Sequence, residues 1–177
     1  MIERTLRTTR AFEGRLISVR VDEVERPDGR QATREIVEHP GAVAILAWDG
    51  TRLAMVRQWR HAAGDVLLEI PAGTMEEQEE PLATARRELA EEMGVAADSW
   101  VRGPAFYTAP GFCTERLTLF LATDLHEVET QAPDDEQVER AWLPLRDALG
   151  AIDDGRVADA KSIAGILWLR ARLTDPS

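Results

Sequence analysis

Cysteine is almost missing from this chain: Cys113 is the only one in 177 residues, so no internal disulfide can form. Histidine is scarce too, and His39, His61 and His126 are scattered, which leaves no Cys/His zinc cluster. Positive charge is in short supply, with 21 Lys and Arg against 32 Asp and Glu and a net charge of −11. A protein that grips a nucleic-acid backbone or an acidic membrane surface needs the opposite balance, so neither partner is expected. An anionic small substrate stays open, provided metal cations supply the missing positive charge. No apolar run is long. Residues 42–48 fall far short of the roughly 20 that a membrane helix requires, and the opening MIERTLRTTRAFEG has no apolar core of the secretory kind. The expectation is a cytoplasmic protein. Its 44% hydrophobic content suits one sizeable globular core.

What is there reads as strands and helices in alternation. Two strands around a turn are predicted over 16–38: Val19, Val21 and Val24 sit near a period of two, Pro27-Asp28-Gly29 marks the turn, and Thr33, Ile36 and Val37 follow. This segment is thinly apolar and would be marginal alone. Residues 1–40 are therefore read as an N-terminal hairpin extension that dimerises, and 41–177 as the main domain. GAVAILAW (41–48) is a continuous apolar run, as in a strand buried on both faces. Asp49-Gly50 signals a hairpin turn, an alternating strand follows over 52–59, and a short strand at 66–70 ends in Pro71-Ala72-Gly73. A helix is predicted from Pro81 to a stop at Gly94, with Leu82, Ala85, Leu89 and Met93 forming one apolar stripe. Strands at 115–125 and 138–145 and a helix at 162–173 complete an α/β or α+β chain with a mixed sheet.

The stretch that carries chemistry is GTMEEQEEPLATARRELAEEMGV, residues 73–95, with seven acidic side chains. Most such runs are solvated helix faces. Here Glu88, Glu91 and Glu92 stand at i, i+3 and i+4, within about 100° of arc on one face. Like charges at that spacing destabilise a bare helix, whereas converging carboxylate oxygens suit Mg²⁺ or Mn²⁺. The face lies beside the apolar stripe, so the helix can be anchored and still present its carboxylates to a cleft. A backbone carbonyl of the preceding turn, such as that of Ala72, could add a further oxygen.

This pattern resembles the signature of the Nudix hydrolases. It runs Gly73, then Glu79, then Arg87-Glu88-Leu89, Glu91-Glu92 and Gly94-Val95, with all nine specified positions matched. The resemblance implies an α/β/α sandwich with a mixed β-sheet and hydrolysis of a nucleoside diphosphate linked to another moiety. It implies two to three Mg²⁺ ions, with Mn²⁺ as the alternative. Carried onto this chain, Glu88, Glu91 and Glu92 are metal ligands with the Ala72 carbonyl. Gly73, Glu79, Arg87 and Gly94 are structural, the Arg87 guanidinium holding the Glu79 carboxylate.

Outside that signature the chain resembles the ADP-ribose pyrophosphatase branch. The similarity lies in VRQWRHAAGDVLLEIPAG (56–73), in Pro110 fifteen residues past Val95, and in PDDEQVERAWLPL (133–145). The implied reaction takes ADP-ribose to AMP and ribose 5-phosphate. GDP-sugars are the alternative substrates, and a catalytically inactive nucleotide-binding module is the alternative class. A nucleic-acid-processing member is disfavoured by the acidic balance. By that resemblance Glu136 is the general base, with Glu139 as runner-up and Glu91 as the fallback. Arg57 and Arg60 are candidates to stack on the base or pair with phosphate. Phe112 and Thr114 are candidates for the terminal ribose pocket, with Cys113 a bystander.

Overall fold

The computed structural model describes residues 1–129 and 138–174. Its elements are β1 (Arg4–Glu13), β2 (Ser18–Glu25), β3 (Gln31–Glu38), β4 (Ala42–Ala47), β5 (Arg52–Arg60), β6 (Asp65–Glu69), β7 (Ala72–Thr74), α1 (Pro81–Met93), β8 (Val95–Tyr107), β9 (Arg116–Glu127), β10 (Val138–Pro144), α2 (Leu145–Asp153) and α3 (Ala160–Thr174). The backbone divides into two units, one of 1–41 with 106–116, the other of 42–105 with the described residues from 117 onward.

The first unit is an antiparallel sheet in the order β1-β2-β3. The hairpin expected over 16–38 is present as β2 and β3, with Ser18 opposite Glu38 and Glu25 opposite Gln31. β1 is an addition that nothing in the sequence announces, because all ten of its residues are exposed. It is held by its ladder to β2 and by surface pairs such as Arg4–Glu25 at 3.1 Å, each worth about 0–1 kcal/mol. The segment 106–116 joins the unit through Val37, whose N–H donates to Phe112 O at 2.7 Å and whose carbonyl accepts from Thr114 N at 2.9 Å.

In the second unit β4 runs parallel to β9 and antiparallel to β7, within a sheet ordered β7-β4-β9-β8. All six β4 residues are buried, as a continuous apolar run demands. Its alternate residues serve two layers. Val43, Ile45 and Ala47 join Ala85, Leu89 and Met93 of α1 in one core cluster. Leu46 points the other way, toward α3, where a Cβ on Gly165 would come within 3.3 Å of it and 2.9 Å of Ile70. Helix, mixed sheet and helix therefore stack as a sandwich. A second sheet, β10-β5-β6, is antiparallel throughout. The alternation expected over 52–59 holds only from Arg57 onward, since Leu53 to Val56 are buried on both faces of β5. α1 begins with Pro81 in its first turn and stops at Gly94, which takes the left-handed conformation (φ 67°) and donates to Ala90 O at 2.8 Å.

Candidate active site

The site is built where β6 passes into β7 and the loop leads on to α1. Every link of that short path is pinned from elsewhere in the second unit. The Ile70 N–H donates to Ser162 Oγ on α3 at 2.9 Å. The Pro71 carbonyl accepts from Ile45 N on β4 at 2.8 Å. The Ala72 N–H donates to Glu92 Oε2 at 3.0 Å. The predicted ligand pair Ala72 and Glu92 is thus brought together, through the amide. Gly73 is required for room: a Cβ there would lie 1.9 Å from Glu88 Cδ and Oε1. The Glu88 carboxylate therefore lies directly against the β7 backbone.

On α1, Glu88 and Glu92 are buried beside Leu89 and Met93, and Glu91 is partly exposed. Arg87 gathers them. Its Nη1 donates to Glu88 Oε1 at 2.8 Å and to Glu91 Oε2 at 3.1 Å. Its Nε and Nη2 donate to the two oxygens of Glu79 at 3.3 and 3.1 Å. That fork is the carboxylate recognition for which a planar guanidinium is suited. The Arg87 hydrogen bonds hold the Glu79 carboxyl below the usual range, against burial, with help from the Glu76 amide. The Glu79 bonds in turn push the guanidinium of Arg87 upward. The loop is thereby tied to the helix that carries Glu88, Glu91 and Glu92, the box carboxylates.

A second cluster was not visible in the sequence. Glu69, the last residue of β6, is buried and receives two hydrogen bonds from Arg60, at 2.8 and 2.7 Å. Lys161 of α3 donates to the same carboxylate and to Asp159 Oδ1 at 2.9 Å. Burial pushes Glu69 up, but the Arg60 hydrogen bonds and the Lys161 charge outweigh it and hold the carboxyl low. Arg140 of β10 is likewise unmarked by any sequence pattern. It donates to the carbonyls of Glu92 at 2.7 Å and Glu91 at 3.3 Å, giving the α1 C-terminus the cation that its own last turn lacks.

The remaining candidates are spread more widely. Arg57 is exposed on β5 directly across the ladder from Glu139 on β10. It lines a cleft of about 440 Å³ with Asp65, Asp154 and Arg156. A larger cleft of about 960 Å³ lies past the α1 C-terminus, between Gly94, His126, Arg140 and Trp142, and has no box carboxylate in its wall. Phe112 and Thr114 belong to the first unit. There Phe112 is exposed, and the Thr114 hydroxyl accepts from His39 N at 3.0 Å. Glu136 lies outside the described residues. Among the described residues no helix is long and apolar enough to cross a membrane.

Among the described residues no three His, Cys, Asp or Glu side chains are gathered as a ready-made metal cluster. Arg87 supplies the cation that bridges Glu88 and Glu91. The donor chemistry nevertheless fits a hard divalent ion: three carboxylates on one helix face, a backbone segment against them, and no sulfur or imidazole. The Gly73 gap that admits Glu88 is the structural sign of that fit.

Residues 37–165 match the NUDIX domain family, and residues 3–37 match the nucleoside diphosphate sugar hydrolase N-terminal domain. The chain is similar to an ADP-ribose pyrophosphatase of Bacillus subtilis (strain 168), 42% identical over 96% of this chain and 94% of that one. It is also similar to a methanol dehydrogenase activator of Bacillus methanolicus, 39% identical over 95% of this chain and 92% of that one. A solved structure described as an ADP compounds hydrolase superimposes with a TM-score of 0.88 over 98% of this chain and 95% of that one. At 20% identity it speaks for the fold.

Proposed function

The chain belongs to the Nudix hydrolase family, and on that premise we propose that it cleaves the pyrophosphate bond of a nucleoside diphosphate sugar, ADP-ribose first among them. The products are AMP and ribose 5-phosphate. The observation that carries this reading is the carboxylate set of α1: Glu92 lies on the Ala72 amide, Glu88 against Gly73, and Arg87, forked on Glu79, bonds both Glu88 and Glu91. The 42% identity to an ADP-ribose pyrophosphatase across nearly the whole chain supports the substrate.

The family reading implies a divalent cation, and we assign Mg²⁺, with Mn²⁺ as substitute and two to three ions per site. Bound there, the ions supply charge neutralisation of the diphosphate and a water of lowered pKa. The chain's own part is to hold and to orient. Glu88, Glu91, Glu92 and the Ala72 carbonyl are the proposed oxygen donors. Arg140 and Ser162 fix the helix end and the strand that bear them. Glu136 is the proposed base that takes the proton of the attacking water, whose oxygen joins phosphorus as the bridging P–O bond breaks. Glu139 and Glu91 are the alternatives. Arg57 and Arg60 are the proposed arms for base and phosphate.

A panel of nucleoside diphosphate derivatives incubated with Mg²⁺, with products separated by chromatography, tests the reading. AMP and ribose 5-phosphate from ADP-ribose at the highest kcat/KM is the expected result. Preference for GDP-mannose moves the assignment to GDP-sugars, and no cleavage of any member overturns it.

We further assign a homodimer built through residues 1–40 and a cytoplasmic location. The dimer is supported by the exposure of Ile2, Leu6, Phe12 and Leu16 around β1. A monomer in sedimentation at micromolar concentration, with full activity, refutes it.

A further inference from the structure

Of the 21 basic side chains in the chain, Lys161 is the one lysine and all the others are arginine. It stands in the first turn of α3 with its ammonium on Glu69 Oε2 and, at 2.9 Å, on Asp159 Oδ1. Glu69 therefore carries two cations, because Arg60 holds the same carboxylate through Nε and Nη2. The two cations differ in access. The side chain of Glu69 is 1% exposed and that of Lys161 15%, whereas that of Arg60 is 39% exposed. Arg60 also lies within the field of Glu92, one of the box carboxylates. One cation is sealed in beside Glu69, and the other reaches solvent near the site.

A diphosphate is best bound by a bidentate guanidinium. Arg60 spends its Nε–Nη2 edge on Glu69, and it can turn that edge to a phosphate only by leaving the carboxylate. Removing the sole partner of a buried carboxylate is strongly unfavourable. Glu69 escapes that penalty because Lys161 stays in place. We infer that Lys161 is a positioning residue: it holds the charge of Glu69 so that Arg60 can exchange from that carboxylate to the diphosphate of the substrate. The ammonium does not travel with Arg60. Asp159 Oδ1, which shares it, also accepts from Ser162 N at 3.1 Å, and Ser162 Oγ accepts from Ile70 N at 2.9 Å. The α3 N-terminus is thus fixed to the strand that bears Glu69. A compact ammonium also suits the place, since a second planar fork would compete with Arg60 for the paired oxygens.

The inference rests on the reading of this site as one that takes a nucleoside diphosphate, and its test separates the two. Lys161→Met keeps the length and removes the charge, so Glu69 is left with Arg60 alone and the guanidinium is held back. KM for the cleaved substrate should rise roughly ten- to a hundredfold, the worth of one charged hydrogen bond, with a much smaller change in kcat. The dissociation constant for ADP with Mg²⁺, read by calorimetry, should rise by a similar factor. Glu69→Gln combined with Lys161→Met removes both charges and releases Arg60, so KM should return to within about threefold of the parent. Thermal melts accompany each variant. A lysine with only a structural role would lower melting temperature and kcat together, and the double variant would be no better than Lys161→Met. That pattern, or an unchanged KM and ADP affinity in Lys161→Met, overturns the inference. If the parent cleaves no nucleoside diphosphate derivative while ADP binding follows the predicted pattern, the pyrophosphatase reading fails and the exchange stands.

Discussion

Replacing Gly73 by alanine should separate catalysis from folding in a single step. The backbone at Gly73 does not have positive φ, so alanine fits the strand conformation and the glycine is there for space. The new methyl would sit 1.9 Å from Glu88 Cδ and Oε1 and 2.5 Å from Cγ. Ordinary carbon contact begins at about 3.5 Å, so the carboxylate must retreat by about 1.5 Å. What it meets is the far end of one flexible side chain, and the fold should lose little, at the low end of the ~1–3 kcal/mol typical of overpacking. Function should lose far more, because Glu88 leaves both the β7 backbone and its 2.8 Å bond from Arg87. A misplacement of about 1 Å costs roughly a hundredfold in rate, which is about 2.7 kcal/mol of barrier. The assay pairs kcat on ADP-ribose with Mn²⁺ affinity by electron paramagnetic resonance and a thermal melt. A hundredfold loss of kcat, weaker Mn²⁺ binding and a melting temperature within a few degrees are expected. Retention of half the parent kcat with unchanged Mn²⁺ affinity refutes a ligand role for Glu88. A collapse of the melting temperature refutes the claim that the clash is local.

Glu136→Gln should lower kcat by about 10² to 10⁴ with little change in KM, the signature of a lost general base. Glu139→Gln in parallel decides between them: a kcat loss confined to Glu139→Gln makes it the base, and two variants with at least half the parent kcat leave the water to Glu91. Acid should weaken the Asp49 turn. Burial pushes this carboxyl up, but bonds from the Arg52 and Thr51 amides and side chains outweigh it and hold it at about 2, against an ordinary 3.8. A depressed pKa gives stability that is full above the ordinary value and lost as pH falls through about 4 toward 2. Asp49→Asn should therefore cost about 1 kcal/mol at pH 7, after allowance for solvent screening, and nothing near pH 2. Urea denaturation across that range checks it, and a pH-independent difference refutes it.

The elements that could be read from sequence are those whose own residues meet the core. α1 has Pro81 at one end and Gly94 at the other, and its stripe of Ala85, Leu89 and Met93 is buried as spaced. β4 is apolar throughout because helices cover both of its faces. β1 has no buried residue, so no alternation marks it, and its place comes from the free edge of β2. β8 mixes Asp98, Arg102, Gly103 and Pro104 into a strand that is mostly half-buried or exposed. α2 follows Pro144 directly with no side-chain cap, so the proline that signals the end of β10 hides the start of a helix.

The site divides along the same line. Gly73, Glu79, Arg87, Glu88, Glu91 and Glu92 lie within twenty residues of one another, and helix periodicity alone puts the last three on one face. Their supports come from far along the chain: Arg140 from β10 onto the α1 carbonyls, Ser162 from α3 onto Ile70. No spacing rule reaches across such separations. A demand for such partners can still be read. LLEIPAG places Glu69 at the end of an apolar strand, and a carboxylate buried there must be paired. Twenty arginines and one lysine name an exception worth matching to it. Sequence can thus state that Glu69 needs a cation and that Lys161 is unusual. Only the packing of α3 against β4 and Ile70 joins the two, and with Arg60 already on the same carboxylate it converts a structural pair into one cation that stays and one that can leave.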